Sequence, residues 1–165
     1  MRIHQQYFVD YTHNVIGNKT HGKFIWGAVA RSGKSYMVGG LIAKRKPKLV
    51  ILILGAIGET KSQFLDLFKY YDDLSQLYTP NTIWDIQNTK THKDEKRVIV
   101  ISQEQLRQDI KANKGTILSA LDELLREENK IIFFDEIHQG GSEDSTQYET
   151  LQYFYKPEFK EPILV

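Results

Sequence analysis

Two short groups of residues in this chain could do chemistry together. Gly33-Lys34-Ser35 sets a residue without a side chain before an ammonium and a hydroxyl, and it follows an apolar stretch, Phe24-Ile25-Trp26. Where such a run turns from a strand into a helix, the first backbone N–H groups point outward and carry partial positive charge, so they hold phosphate oxygens. The glycine lets the backbone approach closely, Lys34 can reach the outer phosphates, and the Ser35 hydroxyl can ligate Mg2+. Position 28 is alanine where the usual phosphate-loop pattern has glycine, a small change that leaves room for phosphate. Arg31 stands inside the loop and could touch phosphate, pair with a carboxylate or face solvent.

The second group is Asp135-Glu136, at the end of the apolar run Ile131 to Phe134. An aspartate leaving a buried strand can hold Mg2+ through water, and the neighbouring glutamate can orient and deprotonate an attacking water. Glutamate beside the reacting water favours hydrolysis over phosphoryl transfer to another acceptor, from which water must be kept away. His138 could extend this group into a zinc cluster, but no second histidine lies at ligand spacing on a helix, so Mg2+ is the expected metal.

These groups need a scaffold that brings them to one edge. Short apolar runs at Phe24–Ala30, Leu49–Leu54, Val98–Ser102, Ile131–Asp135 and Ile163–Val165 read as buried strands, with Thr82–Ile86 a weaker candidate. The runs are continuous, as expected of a parallel sheet covered on both faces. Helical patterns separate them at Gly33–Ala43, Glu59–Tyr71, Gln103–Ala112 and Thr116–Glu127. In the last, Ile117, Leu118, Leu121, Leu124 and Leu125 share a face. Alternating strand and helix predicts an α/β fold of three layers, a mostly parallel sheet between two layers of helices. Ligands collect at the carboxyl ends of such strands. That geometry puts the basic run KRKPK (44–48) and the mixed-charge run NTKTHKDEKR (88–97) on the opposite edge, as solvated turns, because both precede strands. The HQGGSEDST stretch reads as an exposed loop.

Composition is compatible with one such domain. The 165 residues are 41% hydrophobic and 26% charged, and 22 basic against 21 acidic side chains leave a net charge of +1. Global charge therefore does not identify a polyanionic partner; any basic surface must be local. With no cysteine there is neither a disulfide framework nor a thiolate metal site. The longest apolar run is far too short to span a bilayer, and the polar, aromatic N-terminus lacks the core of a signal peptide. The expectation is a soluble, intracellular domain.

ARSGKS (30–35) with DEIH (135–138) resembles the first two signature motifs of superfamily 2 helicases, in their DEAH-like branch, although Ile137 stands where alanine is commonest. RIHQ (2–5) is similar to the opening Arg-x-His-Gln element of the restriction-subunit-like members. As a block, WGAVARSGKSYMVGGLI is also reminiscent of helicase-like proteins of large DNA viruses.

The resemblance covers essentially the whole chain, residues 1–165, as a first, N-terminal RecA-like P-loop NTPase domain. It implies ATP and Mg2+ as cofactors. Gln5 is to read the adenine; with Arg31, Ser32, Gly33, Lys34, Ser35 and Tyr36 it makes the nucleotide-binding set. Lys34, Asp135 and Glu136 form the catalytic set, Ser35 and Asp135 take the metal, and His138 couples the nucleotide site to the nucleic acid or the partner domain. LILGAIGETKSQF (52–64) and VIVISQEQL (98–106) resemble segments that contact the nucleic-acid backbone, which places Gly55, Ala56, Thr60, Ser102 and Gln103 there.

The function so implied is an ATP-driven helicase or translocase motor, on DNA rather than RNA and without a membrane. A second RecA-like domain would follow beyond EPILV (161–165) and supply an arginine finger, so that the isolated domain turns over slowly at best. The alternatives from the residues are a P-loop phosphotransferase and an ATP-gated nucleic-acid-binding module without turnover.

Overall fold

The computed structural model describes residues 1–28, 32–55, 58–82, 96–135 and 144–165. Its frame is a six-stranded sheet in the order β1-β6-β5-β2-β4-β3, in which every described pairing is parallel. The strands are β1 (Gly22–Lys23), β2 (Leu49–Leu54), β3 (Thr79–Thr82), β4 (Arg97–Ser102), β5 (Lys130–Phe134) and β6 (Ile163–Leu164). The helices are α1 (Ile3–Ile16), α2 (Lys34–Arg45), α3 (Gly58–Tyr70), α4 (Asp72–Ser75), α5 (Gln103–Ala112), α6 (Thr116–Leu124) and α7 (Asp144–Tyr153).

The central strand explains the three layers. Every residue of β2 is buried, because side chains alternate across the sheet and both faces are covered. Val50, Leu52 and Leu54 join a core with Met37, Leu41 and Ile42 of α2 and Phe64, Leu67 and Phe68 of α3. Leu49, Ile51 and Ile53 join a second core with Leu106 of α5, Ile117 and Leu121 of α6, and Tyr153 of α7. The two helical layers thus sit on opposite faces, as the strand–helix alternation predicts.

Four expectations change. The strand predicted at Phe24–Ala30 falls earlier, at β1 (Gly22–Lys23): residues 24–28 lack strand structure, and 29–30 lie outside the described residues. Phe24 still donates its amide to the Leu164 carbonyl at 2.8 Å, and it packs on the core with Trp26. Ile25, however, is 83% exposed. Successive side chains of an extended run point to opposite faces, and the face that Ile25 takes is uncovered here, so a run that reads as continuously buried alternates instead. α6 stops at Leu124 rather than Glu127, because its end tightens into i→i+3 bonds from Arg126 and Glu127. β3 ends at Thr82, where the weaker predicted strand begins; the remainder of that strand lies outside the described residues. The stretch expected as an exposed loop runs into α7 from Asp144.

α1 was not legible as a helix. Gln5, Val9, Thr12 and Ile16 are buried against the domain. Ile3, Tyr7, Tyr11 and Val15, one per turn on the other side, are exposed. Apolar residues on both faces erase the single-face pattern by which a surface helix is recognised.

The basic run at 44–48 lies at the amino edge, as predicted, but it is structured. Arg45 donates to the carbonyls of Gly17 (2.9 Å) and Lys19 (3.2 Å), fastening the end of α1. The buried Tyr78 hydroxyl donates to the Pro47 carbonyl at 2.8 Å. Most of the 88–97 run lies outside the described residues.

Candidate nucleotide site at the carboxyl edge

The site is built where α2 begins. Gly33 caps the helix in the left-handed conformation, with φ 81° and ψ 41°, a region that costs other residues about 1–2 kcal/mol. A Cβ at that position would overlap Gln5 Nε2. The backbone angle therefore favours glycine, and the Gln5 amide takes the space that a side chain would fill. Lys34 and Ser35 are the first residues of the helix, where amides have no preceding carbonyl to bond. Tyr36 is the first whose amide turns inward, to the Gly33 carbonyl at 3.0 Å.

β5 delivers Asp135 to the same edge, where its amide bonds to the Ile53 carbonyl at 2.9 Å. β6 lies between β1 and β5, so the strands carrying the two halves of the site are about 10 Å apart. Side chains close that gap: Lys34 Nζ donates to Asp135 Oδ1 at 3.1 Å. Asp135 is 12% exposed in its side chain and Lys34 37%. The carboxylate is sheltered, and the ammonium reaches it from the solvent side.

Gln5 joins this site from α1. Its Oε1 accepts from the Arg2 amide at 2.8 Å, and its Nε2 donates to the Ser32 carbonyl at 2.7 Å. Only 5% exposed, Gln5 ties the N-terminus of α1 to the phosphate loop. The Ser32 Oγ is buried and finds no hydrogen-bond partner among the described residues. A buried hydroxyl left unmatched is costly, and a phosphate oxygen in the loop would satisfy it. With the left-handed glycine, the helix-opening amides and the Lys34 ammonium, this orphan makes the residues a fit for a nucleotide phosphate. Ser35, half-buried at the helix start, and Asp135 are the described oxygens able to share Mg2+.

Further along the edge, β2 ends at Leu54 opposite Ser102 of β4. Asp135, Gly55 and Ser102 therefore follow one another across neighbouring strand ends. Ser102 Oγ accepts from the Gln105 amide at 3.4 Å and caps α5. The adjacent Gln103 Nε2 is buried without a partner among the described residues. Thr60 lies in the first turn of α3. Arg31, Ala56, Glu136 and His138 lie outside the described residues.

Two features escaped sequence reasoning. One is the Gln5–Ser32 tether, whose only trace is a glutamine in the first turn of a helix that was itself hidden. The other is Tyr71, between α3 and α4. Its ring meets that of Tyr36 edge-to-face, with centroids 6.0 Å apart and planes at 79°. A hydrogen bond to Tyr36 is the main cause that pushes the Tyr71 phenol above its ordinary value, with a smaller contribution from burial. No sequence signal links residues so placed.

The parallel sheet between two helical layers and the phosphate-loop arrangement at its carboxyl edge define a RecA-like P-loop domain. The family model of the type III restriction enzyme res subunit matches residues 1–162. The chain belongs to that family, and it is a RecA-like motor domain of the superfamily 2 helicase type. A similar solved structure is that of a nuclease-deletion mutant of the Type ISP restriction-modification enzyme LlaGI in complex with a DNA substrate mimic. At 15% identity and a TM-score of 0.59, the match covers 100% of this chain and 17% of that one. This chain therefore corresponds to less than a fifth of that enzyme's length. No curated protein matches the sequence. No described helix is long and apolar enough to cross a membrane.

Proposed function

We propose that this domain binds and hydrolyses ATP with Mg2+ to drive movement on nucleic acid, DNA in preference to RNA. The observation that carries this reading is the 3.1 Å approach of Lys34 to Asp135 across an intervening strand. An ammonium held against a sheltered carboxylate is a balanced pair that a metal–triphosphate can separate, giving the lysine phosphate charge and the aspartate a cation. Bound Mg2+ supplies Lewis acidity at the transferring phosphoryl group. Around it, Lys34 and the opening amides of α2 hold phosphate oxygens, Ser32 Oγ donates to one of them, and Ser35 and Asp135 position the metal. Glu136 orients and deprotonates the attacking water. His138 couples the site to its surroundings.

The nucleic acid runs along the neighbouring strand ends, over Gly55, Ala56, Thr60, Ser102 and Gln103, where the unmatched Gln103 amide offers a donor for a backbone oxygen. The DNA substrate mimic bound to the similar restriction enzyme favours DNA. A second RecA-like domain closes on this edge and contributes an arginine finger, an addition worth about 10³–10⁵ in rate in related chemistry.

Phosphate release measured with and without single- and double-stranded DNA and RNA tests this reading. Stimulation by DNA is expected. Nucleotide binding without turnover would point to an ATP-gated binding module, and phosphate transfer to another acceptor to a phosphotransferase.

A further inference from the structure

One helix of this domain carries a row of large apolar side chains on its outside. Ile3, Tyr7, Tyr11 and Val15 are 91%, 65%, 57% and 45% exposed. They stand four residues apart along α1 and so form one ridge, on the side away from the buried Gln5, Val9, Thr12 and Ile16. Little charge keeps that face in water. Asp10 is the only Asp, Glu, Lys or Arg between Ile3 and Ile16, and Lys44 Nζ already holds its carboxylate at 2.9 Å. The two rings are also pre-arranged. Tyr7 and Tyr11 stack with centroids 6.0 Å apart and planes at 21°, and Tyr7 meets Phe8 edge-on at 6.3 Å. An aromatic side chain presents about 150–250 Å², so the four residues together offer roughly 500 Å² of mostly apolar surface. That is near the upper end of what a soluble monomer leaves to water, and patches of this size mark interaction sites.

The order of the ridge points to its occupant. Aliphatic, tyrosine, tyrosine, aliphatic at even spacing reads the same from either end, with its midpoint at Val9. A two-fold interface lays one surface on an identical copy, so it needs this self-complementarity. We infer that the protein forms a symmetric dimer through an antiparallel pair of α1 helices, with Tyr7 and Tyr11 at its centre. Ile3 of one copy lies beside Val15 of the other, and the four tyrosines meet around the axis. Ridges made of every fourth residue pack into each other's grooves with the helix axes about 50° apart. The antiparallel arrangement also brings opposite ends of the two helix dipoles together. With the residues that flank them, the two ridges bury about 1,200 Å² in total, the lower bound for a specific protein interface. Gln5 points the other way, to Ser32, so both phosphate loops stay open in the pair.

Sedimentation equilibrium of the full chain over a concentration series tests this. A monomer–dimer equilibrium with a dissociation constant on the order of micromolar is expected for an interface of this size. Tyr7→Ala and Tyr11→Ala should each weaken the dimer about ten-fold or more, because central aromatic residues dominate such contacts. Both should leave the circular dichroism of the chain unchanged. Tyr148→Ala, which removes a ring 63% exposed on α7, should leave the dimer as it is. The chain contains no cysteine, so introduced thiols report the orientation. A mixture of Ile3→Cys and Val15→Cys chains, treated with a short thiol crosslinker, should give a joined dimer that neither variant gives alone. A chain that stays monomeric at about 0.1 mM overturns the inference and leaves this face to a different protein. So does a dimer that both tyrosine variants keep, or crosslinking of each cysteine variant with itself, which would mean parallel helices.

Discussion

Lys34 and Asp135 are 101 residues apart in sequence and 3.1 Å apart in space, joined over a strand that belongs to neither. Because Lys34 is more than a third exposed, solvent screening limits the pair to under about 1 kcal/mol of stability. Its importance lies in binding. Lys34→Ala should keep the fold, with a melting temperature within a few degrees of the wild type, and lose measurable ATP affinity by calorimetry. Asp135→Asn should retain nucleotide but weaken the Mg2+ dependence of its binding. An unchanged affinity in Lys34→Ala would place the nucleotide elsewhere.

Glu136→Gln should leave Mg2+-ATP bound while slowing hydrolysis by about 10²–10⁴-fold, the usual contribution of a general base. Single-turnover phosphate release in the presence of nucleic acid is the measurement. Equal rates in the two proteins would remove the hydrolase reading.

Gln5→Ala deletes both hydrogen bonds of the tether and leaves the Arg2 amide and the Ser32 carbonyl unmatched in a part-buried place. That should cost about 1–3 kcal/mol in urea denaturation. Because the tether holds the loop, inorganic tripolyphosphate should weaken along with ATP.

Stability should rise with pH between about 8 and 10. Lys130, 1% exposed, donates to the carbonyls of Glu127 and Lys160, and burial pulls its ammonium down to about 8 from 10.5. Between those values the unfolded chain holds a proton that the folded chain has released, so raising the pH favours the fold. Above about 10 the trend reverses. Burial lifts Tyr153 and Tyr155 to about 12 and Tyr78 upward as well, so the unfolded chain loses those protons first. Urea midpoints at pH 7.5, 8.5 and 9.5 check this, and Lys130→Met should flatten the rise.

The buried interior of this domain was legible in the residues because it obeys local rules. β2 and α5 fall on their predicted ranges, and α2, α3, β4 and β5 lie within a residue or two, since strands covered on both faces and one-faced helices leave clear periodicities. Lys34 and Asp135 were legible as residues of one sheet edge because each begins or follows a regular element there; their direct contact was not. The failures share a cause: information that is not periodic. α1 is apolar on two faces, β1 is an edge strand with one neighbour, and the Tyr36–Tyr71 contact depends on how α3 and α4 return past α2. Gln5 was found, but its bond to Ser32 became visible only once α1 was seen to be a helix.

The strand that leads towards the phosphate loop is attached to the sheet by very little. β1 spans two residues, and its ladder is bounded by the Gly22 and Phe24 amides, bonded to the Pro162 and Leu164 carbonyls. What holds residues 24–28 is instead the Trp26 indole, donating to Thr12 of α1 at 2.9 Å and tilted against Phe133. Hydrogen exchange should show this edge as a separate unit from the β4-β2-β5 centre, with its amides exchanging first. α1 is then a splint. A substitution that loosens it should free Ser32, which Gln5 holds, while the amides of β4, β2 and β5 stay protected.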